Sequence, residues 1–259
     1  MPQIELVLAG GNVNTDQCRL GLCTVALIRG EQNILVDVAH FGRRQLLLQE
    51  LEKKGLKPDD IGTVVLTHCH WDHAQNVDLF PTARFVIHPK EVEYSRHPNP
   101  GEQATAHYFA RMLEGVKVTD AREGQVLMPG VTVMETPGHS AGHISLLVDT
   151  PQGKAIIAGD AFSDAGAPKR GLPFLVFWDE AQARESIKRI ASAASVFYPG
   201  HDRPFRVKAD GSVEYLTPPM TVQLSAIFES HGSTVGLTLG LDKPRTSEIH
   251  PAAKRAPMG

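Results

Sequence analysis

The sequence predicts an α/β protein in which β-sheets pack on each other with helices on the outside. Two observations carry this. Short runs rich in Val, Ile and Leu recur along the chain, each closed by a glycine, a proline or a polar turn. Amphipathic stretches with helical spacing interrupt those runs.

Taken in order, "IELVLAG", "CTVALIRG" and "NILVDV" read as strands, with Gly10, Gly11 and Gly30 as breakers. "GRRQLLLQELEKKG" reads as a helix that Gly55 closes. "TVVLT" is a buried strand ending at His68, and "ARFVIH" is another. From Pro89 to Val116 the chain is polar and broken by prolines, with helical turns expected only around Tyr108 to Leu113. "VTVMET", "ISLLVDT" and "KAIIAGD" are strand-like. In "DEAQARESIKRIASAAS", Asp179 suits an N-cap, and Ala183, Ile187, Ile190, Ala191 and Ala194 fall on one stripe. "VFYPGH" is a last short strand, and "FRVKADGSVEYL" is a hairpin around Asp210 and Gly211. The division expected is one main domain over 1–216 and a C-terminal extension over 217–259, a helix followed by a loose polar tail. The apolar piece "VQLSAIF" in that extension suits a homodimer contact.

Composition narrows the class. A chain of 259 residues can bury a substantial core, and a net charge of −3 argues against a general nucleic-acid binder. No apolar run reaches the ~18 residues needed to cross a bilayer, and the N-terminal stretch has no basic start leading into an apolar core. Three cysteines without framework spacing favour a reducing, cytoplasmic setting.

The chemistry sits in "VVLTHCHWDHAQN". In a strand, residues two apart share a face, so His68 and His70 point together and Cys69 points away as a small buried hydrophobe. A turn at Trp71 then brings Asp72 and His73 round. Imidazoles and carboxylates at this spacing suit a zinc-like ion. More residues of this type follow strand-like runs: His139 in "TPGHSAGH", Asp160 in "IIAGDAF" and His201 in "YPGHD". Together they supply three ligands each for two metals, with one carboxylate shared.

In "HCHWDH", "TPGHS", "AGDA" and "YPGHD" the chain resembles the metallo-β-lactamase-fold hydrolases, over roughly residues 22 to 205. The resemblance implies an αββα sandwich, two mixed β-sheets face to face with helices outside and the site along one sheet edge. It also implies two divalent metal ions, zinc first among them. His68, His70 and His139 would hold one, Asp72, His73 and His201 the other, and Asp160 would bridge them. Asp37 is expected behind the ligands, and His143 either there or in ordinary packing. The implied reaction is attack by a metal-bridging hydroxide on an ester or lactone carbonyl of a small-molecule substrate, with Asp72 carrying the proton to the leaving group.

Departures from subfamily patterns refine this. Zinc β-lactamases generally lack an aspartate at the bridging position, where this chain has Asp160. Iron persulfide dioxygenases usually show a Cys-Gly-Arg-Thr-Asp stretch where this chain reads "GDAFSDAGAPKRG". "TPGHSAGH" and "YPGHD" look like the acyl-homoserine lactonases, although Ser163 stands where those place a tyrosine. "NVDLFPTARFVI" and "YPGHDRPFRV" are similar to the small animal metallo-β-lactamase-domain proteins proposed as nucleases, so a phosphodiesterase or nuclease is the alternative. Phe162, Ser163, Phe177, Trp178 and Tyr108 are the expected substrate-pocket residues.

Overall fold

The computed structural model describes residues 1–223 and 246–254. Two mixed sheets lie face to face. The first runs in spatial order Gln3–Leu8, Val25–Arg29, Asn33–Val36, Thr63–Val65, Arg84–Ile87 and Lys117–Asp120. Its first three strands pair antiparallel and the rest parallel. The second runs Val213–Tyr215, Phe205–Val207, Val196–Pro199, Gly153–Gly159, Ile144–Thr150, Val131–Glu135 and Val126–Met128. Its one parallel pair, Gly153–Gly159 with Val196–Pro199, is joined by the Glu180–Ala193 helix, because parallel neighbours need a crossover.

Strand alternation explains the layers. Ile34, Val36, Val65 and Val86 of the first sheet meet Val131, Val133, Ile144, Leu146 and Ile157 of the second in one buried cluster. The opposite face of the first sheet, with Leu27, Leu35, Val64 and Phe85, buries Leu47 and Leu51 of the Arg44–Lys53 helix. Ile156, Ala158, Phe197 and Phe205 on the outer face of the second sheet receive Ile187 and Ile190 of the Glu180–Ala193 helix. Each fully buried Val, Leu, Ile or Phe among them contributes about 1.5–3 kcal/mol. The αββα sandwich expected from the sequence is the observed architecture.

Several elements depart from the sequence reading. Ala191 is exposed, and Ser186 takes its place on the buried stripe, where its hydroxyl donates to the Pro137 carbonyl at 2.7 Å. The spacing 183, 186, 187, 190 is the true i, i+3, i+4, i+7 face. Pro89–Arg96 is a helix where the sequence predicts only a broken polar stretch. Pro89 occupies its first turn, where a missing N–H costs nothing, and His88 caps it by accepting from the Lys90 N–H at 3.2 Å. Gly11–Asn14 and Arg19–Leu22 form a two-stranded hairpin apart from both sheets, which the polar turn "TDQC" concealed.

The tail also departs. Within the stretch read as loose, Glu248–Ile249 pairs parallel with Leu175–Val176, and Ala253 is buried with Leu172, Val176 and Ala183. Most of "VQLSAIF" lies outside the described residues. Among the described residues no helix is long and apolar enough to cross a membrane.

Candidate metal centre

The ligand-type residues all follow strand ends on one edge of the sandwich. His68, His70, Asp72 and His73 follow Thr63–Val65, with Asp72 and His73 on the single turn Trp71–Ala74. His139 follows Val131–Glu135, Asp160 follows Gly153–Gly159, and His201 follows Val196–Pro199. Two different sheets thus deliver side chains to one point. Their ligand atoms form three overlapping trios, each within 4.8 Å: His68, His70 and His139; His68, His73 and Asp160; Asp72, His73 and His201. His68 Nε2 and His139 Nε2 lie 2.9 and 3.0 Å from His70 Nδ1. Asp160 reaches His73 at 3.3 Å, His139 at 3.5 Å and His201 at 3.1 Å.

The outer ring nitrogens decide what the inner ones can do. The Thr67 hydroxyl gives its one proton to the acceptor-only Asp37 carboxylate, so its oxygen must accept from His68 Nδ1–H, at 2.9 Å. His73 Nδ1 donates to Asp37 Oδ2 at 2.7 Å, His139 Nδ1 to the Leu175 carbonyl at 2.8 Å, and His201 Nδ1 to the Gly11 carbonyl at 3.0 Å. A ring whose outer nitrogen carries the proton presents its inner lone pair to the cluster. His70 faces inward through Nδ1, and its Nε2 lies 3.8 Å from Glu102, beyond hydrogen-bond reach.

Asp160 is held from behind. His143 Nε2 accepts from the backbone N–H groups of Asp160 and Ala161 at 3.1 and 3.2 Å. Its Nδ1–H therefore donates to Thr136 Oγ1 at 2.9 Å, which bonds Ser145 Oγ at 2.8 Å. Gly159, at φ +50°, lies under His143 and Thr67, and a Cβ there would stand 2.8 Å from His143 Nε2. At Gly200 a Cβ would fall 1.8 Å from Asp160 Oδ1, so only glycine lets the carboxylate stand where it does.

Electrostatics separates the histidines. Burial, reinforced by neighbouring imidazoles, holds His68 and His70 well below the usual histidine range, so they stay neutral. Burial acts the same way on His73 and His201, but the carboxylates around them together outweigh it and raise both: Asp160 and Asp72 at each ring, with Asp37 added at His73. Burial would raise Asp160, yet His201 and His73 beside it keep its carboxyl well below the ordinary value. Two buried atoms aimed inward, His73 Nε2 and Asp160 Oδ1, have no hydrogen-bond partner. Convergent lone pairs, a buried carboxylate and such orphaned atoms fit a divalent metal. Cys23 and Cys69 take no part: burial pushes the thiol of Cys23 up to about 12 and that of Cys69 well above its ordinary value.

A cavity of about 980 Å³ opens over this cluster. Ser163 and Phe177 of the expected pocket residues border it, and the Phe177 ring stands 5.2 Å from that of His70. Three others do not. Phe162 is fully buried and stacks on Phe197 at 5.0 Å, because its strand-end position faces the helix layer. Trp178 packs edge-on against Tyr94, and Tyr108 is exposed at the surface, accepting from Gln75 Nε2 at 3.0 Å. A separate concavity of about 710 Å³ around Val118 to Gln125 shares no residue with the site.

Sequence reasoning missed Thr67, Glu91 and the Gly11–Leu22 hairpin. Glu91 is fully buried and accepts from the N–H groups of Cys69, at 2.8 Å, and Gly142, at 2.5 Å. It ties the loop carrying His68 and His70 to the loop carrying His139 and His143. No local signal could have revealed it, since a glutamate in a first helical turn ordinarily faces water.

The pattern of the metallo-beta-lactamase superfamily matches residues 18–201. Metallo-beta-lactamase domain-containing protein 1 of Xenopus laevis is 34% identical over 195 residues, 73% of this chain and 75% of that protein. An N-acyl homoserine lactonase of Bacillus thuringiensis is 30% identical over 159 residues, 59% of this chain and 60% of the lactonase. A crystal structure of a B. thuringiensis AiiA variant with N-decanoyl-L-homoserine bound superposes with a TM-score of 0.64 at 22% identity, covering 77% of this chain and 92% of that one, a likeness of fold. By these matches the chain belongs to the metallo-beta-lactamase superfamily, as a metallo-hydrolase.

Proposed function

We propose that the protein is a dinuclear zinc hydrolase that opens a small-molecule ester or lactone. The observation that carries the reading is the outward anchoring of four ring nitrogens, which turns the histidine lone pairs and the Asp160 carboxylate onto common points. His68, His70 and His139 would hold one ion, Asp72, His73 and His201 the second, and Asp160 would serve both. Bound there, the metals supply the positive charge that makes water nucleophilic near neutral pH and polarises the scissile carbonyl.

The chain's own groups do the rest. Asp72 stands at the cavity, with Oδ2 3.3 Å from His201 Nε2 and 3.9 Å from His73 Nε2. It takes the proton released as water oxygen bonds to the acyl carbon and returns it to the alkoxide when the C–O bond breaks. Asp37 and His143 hold His73 and Asp160 in place through these steps. Phe177 and Leu175 close one wall and limit water there.

The test is elemental analysis of the purified protein together with hydrolysis of a panel of small lactones and aryl esters. Two zinc ions per chain with lactone turnover are expected, and Asp160→Ala should lose both. A single iron with an inert panel would point to an oxygenase instead. Cleavage of single-stranded RNA by the zinc-loaded protein would support the nuclease alternative.

A further inference from the structure

We infer that the Gly11–Leu22 hairpin recognises an anionic group, a carboxylate or a phosphate, carried by the substrate beside its scissile bond; the inference rests on the hydrolase reading above. The hairpin is pinned to the metal centre twice. Gly11 accepts from His201 Nδ1, and Gly21 lies so close that a Cβ would stand 2.0 Å from Asp72 Oδ2.

The second contact fixes which face of the strand looks at the site. Residues two apart on a strand share a face, so Arg19 projects on the same side as Gly21. Asn12 is the cross-strand partner of Gly21, and Asn14 that of Arg19, which places both amides on that side too. Asn12, Asn14, Arg19 and Gly21 all border the cavity, whereas Val13 and Leu20 between them do not. At 3.3–3.4 Å per residue, Arg19 starts only about 7 Å along the strand from Gly21. One small molecule can touch both Arg19 and the metal centre.

The chemistry of that face suits an anion. Arg19 is the one Lys or Arg among the described residues bordering the cavity, and it makes no ion pair among them. Asn12 Nδ2 is a buried donor with no acceptor. The planar guanidinium matches carboxylate or phosphate oxygens in a bidentate fork. Four carboxylates also border the cavity, but Asp72 and Asp160 face the histidines and Asp16 takes a hydrogen bond from Gln17 at the hairpin tip. The fourth, Glu248, stands on a strand outside the hairpin, paired with Leu175–Val176.

The experiment compares a γ-lactone bearing a ring carboxylate with its neutral N-methylamide, and with the corresponding phosphonate, on zinc-loaded protein. A charged hydrogen bond of this kind predicts about a tenfold higher kcat/KM for the anionic lactones. In Arg19→Ala that ratio should fall to about one with zinc content unchanged, and Arg19→Lys should retain part of it. The stronger of the carboxylate and phosphonate arms identifies the anion. Equal kcat/KM for charged and neutral lactones in the wild type, or a preference that survives in R19A, overturns the inference. If no lactone turns over, the hydrolase reading fails, and calorimetric titration with the ring-opened acids decides the inference separately. Tighter binding of the anionic acid that R19A abolishes upholds it, and equal binding of anionic and neutral acids rejects it.

Discussion

Asp37→Asn isolates the part of the site that controls proton placement. Asp37 accepts from Thr67 N–H at 2.8 Å, from the Thr67 hydroxyl and from His73 Nδ1 at 2.7 Å. Its φ is +59°, a conformation that Asn adopts as readily as Asp, so the substitution adds no backbone strain. The amide keeps the shape and halves the acceptors. With its oxygen toward Thr67, its NH2 group faces His73, which can then accept only through a bare Nδ1. That moves the ring proton to Nε2, 3.3 Å from Asp160 Oδ1, where a metal would need the lone pair. Loss of such an outer partner costs about 10- to 100-fold in metal affinity, equivalent to about 1.4–2.8 kcal/mol. The assay is zinc competition against a chromophoric chelator, fitted for two sites, with circular dichroism as a control for folding. The expected result is selective weakening of the site that includes His73. Retention of both ions at wild-type affinity in folded D37N would refute the tautomer argument.

Three other outcomes follow from the same geometry. Glu91→Gln leaves one of two buried N–H groups, Cys69 or Gly142, facing an amide NH2; urea denaturation should show a loss of about 1–3 kcal/mol, and an unchanged midpoint would count against the clamp. Gly200→Ala would drive a methyl into the Asp160 carboxylate, so zinc content by elemental analysis should fall while circular dichroism stays native, and full zinc retention would contradict the packing. Burial pushes the Asp164 carboxyl up, but Arg170 at 2.7 Å outweighs this and holds it below its ordinary value. A depressed carboxyl stabilises the fold above its unfolded pKa of about 3.9 and loses that effect as pH falls through the folded value. Asp164→Asn should therefore unfold more easily than the wild type at pH 7, with the gap closing toward pH 3; a gap that stays constant across that range would show the pair to be irrelevant.

Much of the framework was legible in the chain because it is local. Apolar runs of strand length determine strands, and the 3.6-residue stripe of the Glu180–Ala193 helix determines its buried face, although Ser186 displaced Ala191 once a carbonyl partner was near. The HxHxDH spacing and the later His139, Asp160 and His201 mark ligand chemistry through residue type alone, since few other arrangements justify so many imidazoles at strand ends. The pocket aromatics were read less well. Phe162 and Trp178 are apolar whether they face substrate or core, and one-dimensional sequence carries no term that separates the two.

Tertiary structure decided the rest, because it depends on groups far apart in sequence meeting at hydrogen-bond distance. His201 and Gly11 are separated by 190 positions, yet their bond sets both the imidazole tautomer and the seat of the hairpin. Glu91 joins two loops through backbone N–H groups that no residue pattern encodes. The sequence by itself determined which atoms could bind a metal. Only the packing of two sheets face to face decided which nitrogen of each ring does so, because the proton goes to whichever acceptor the fold brings to the other side.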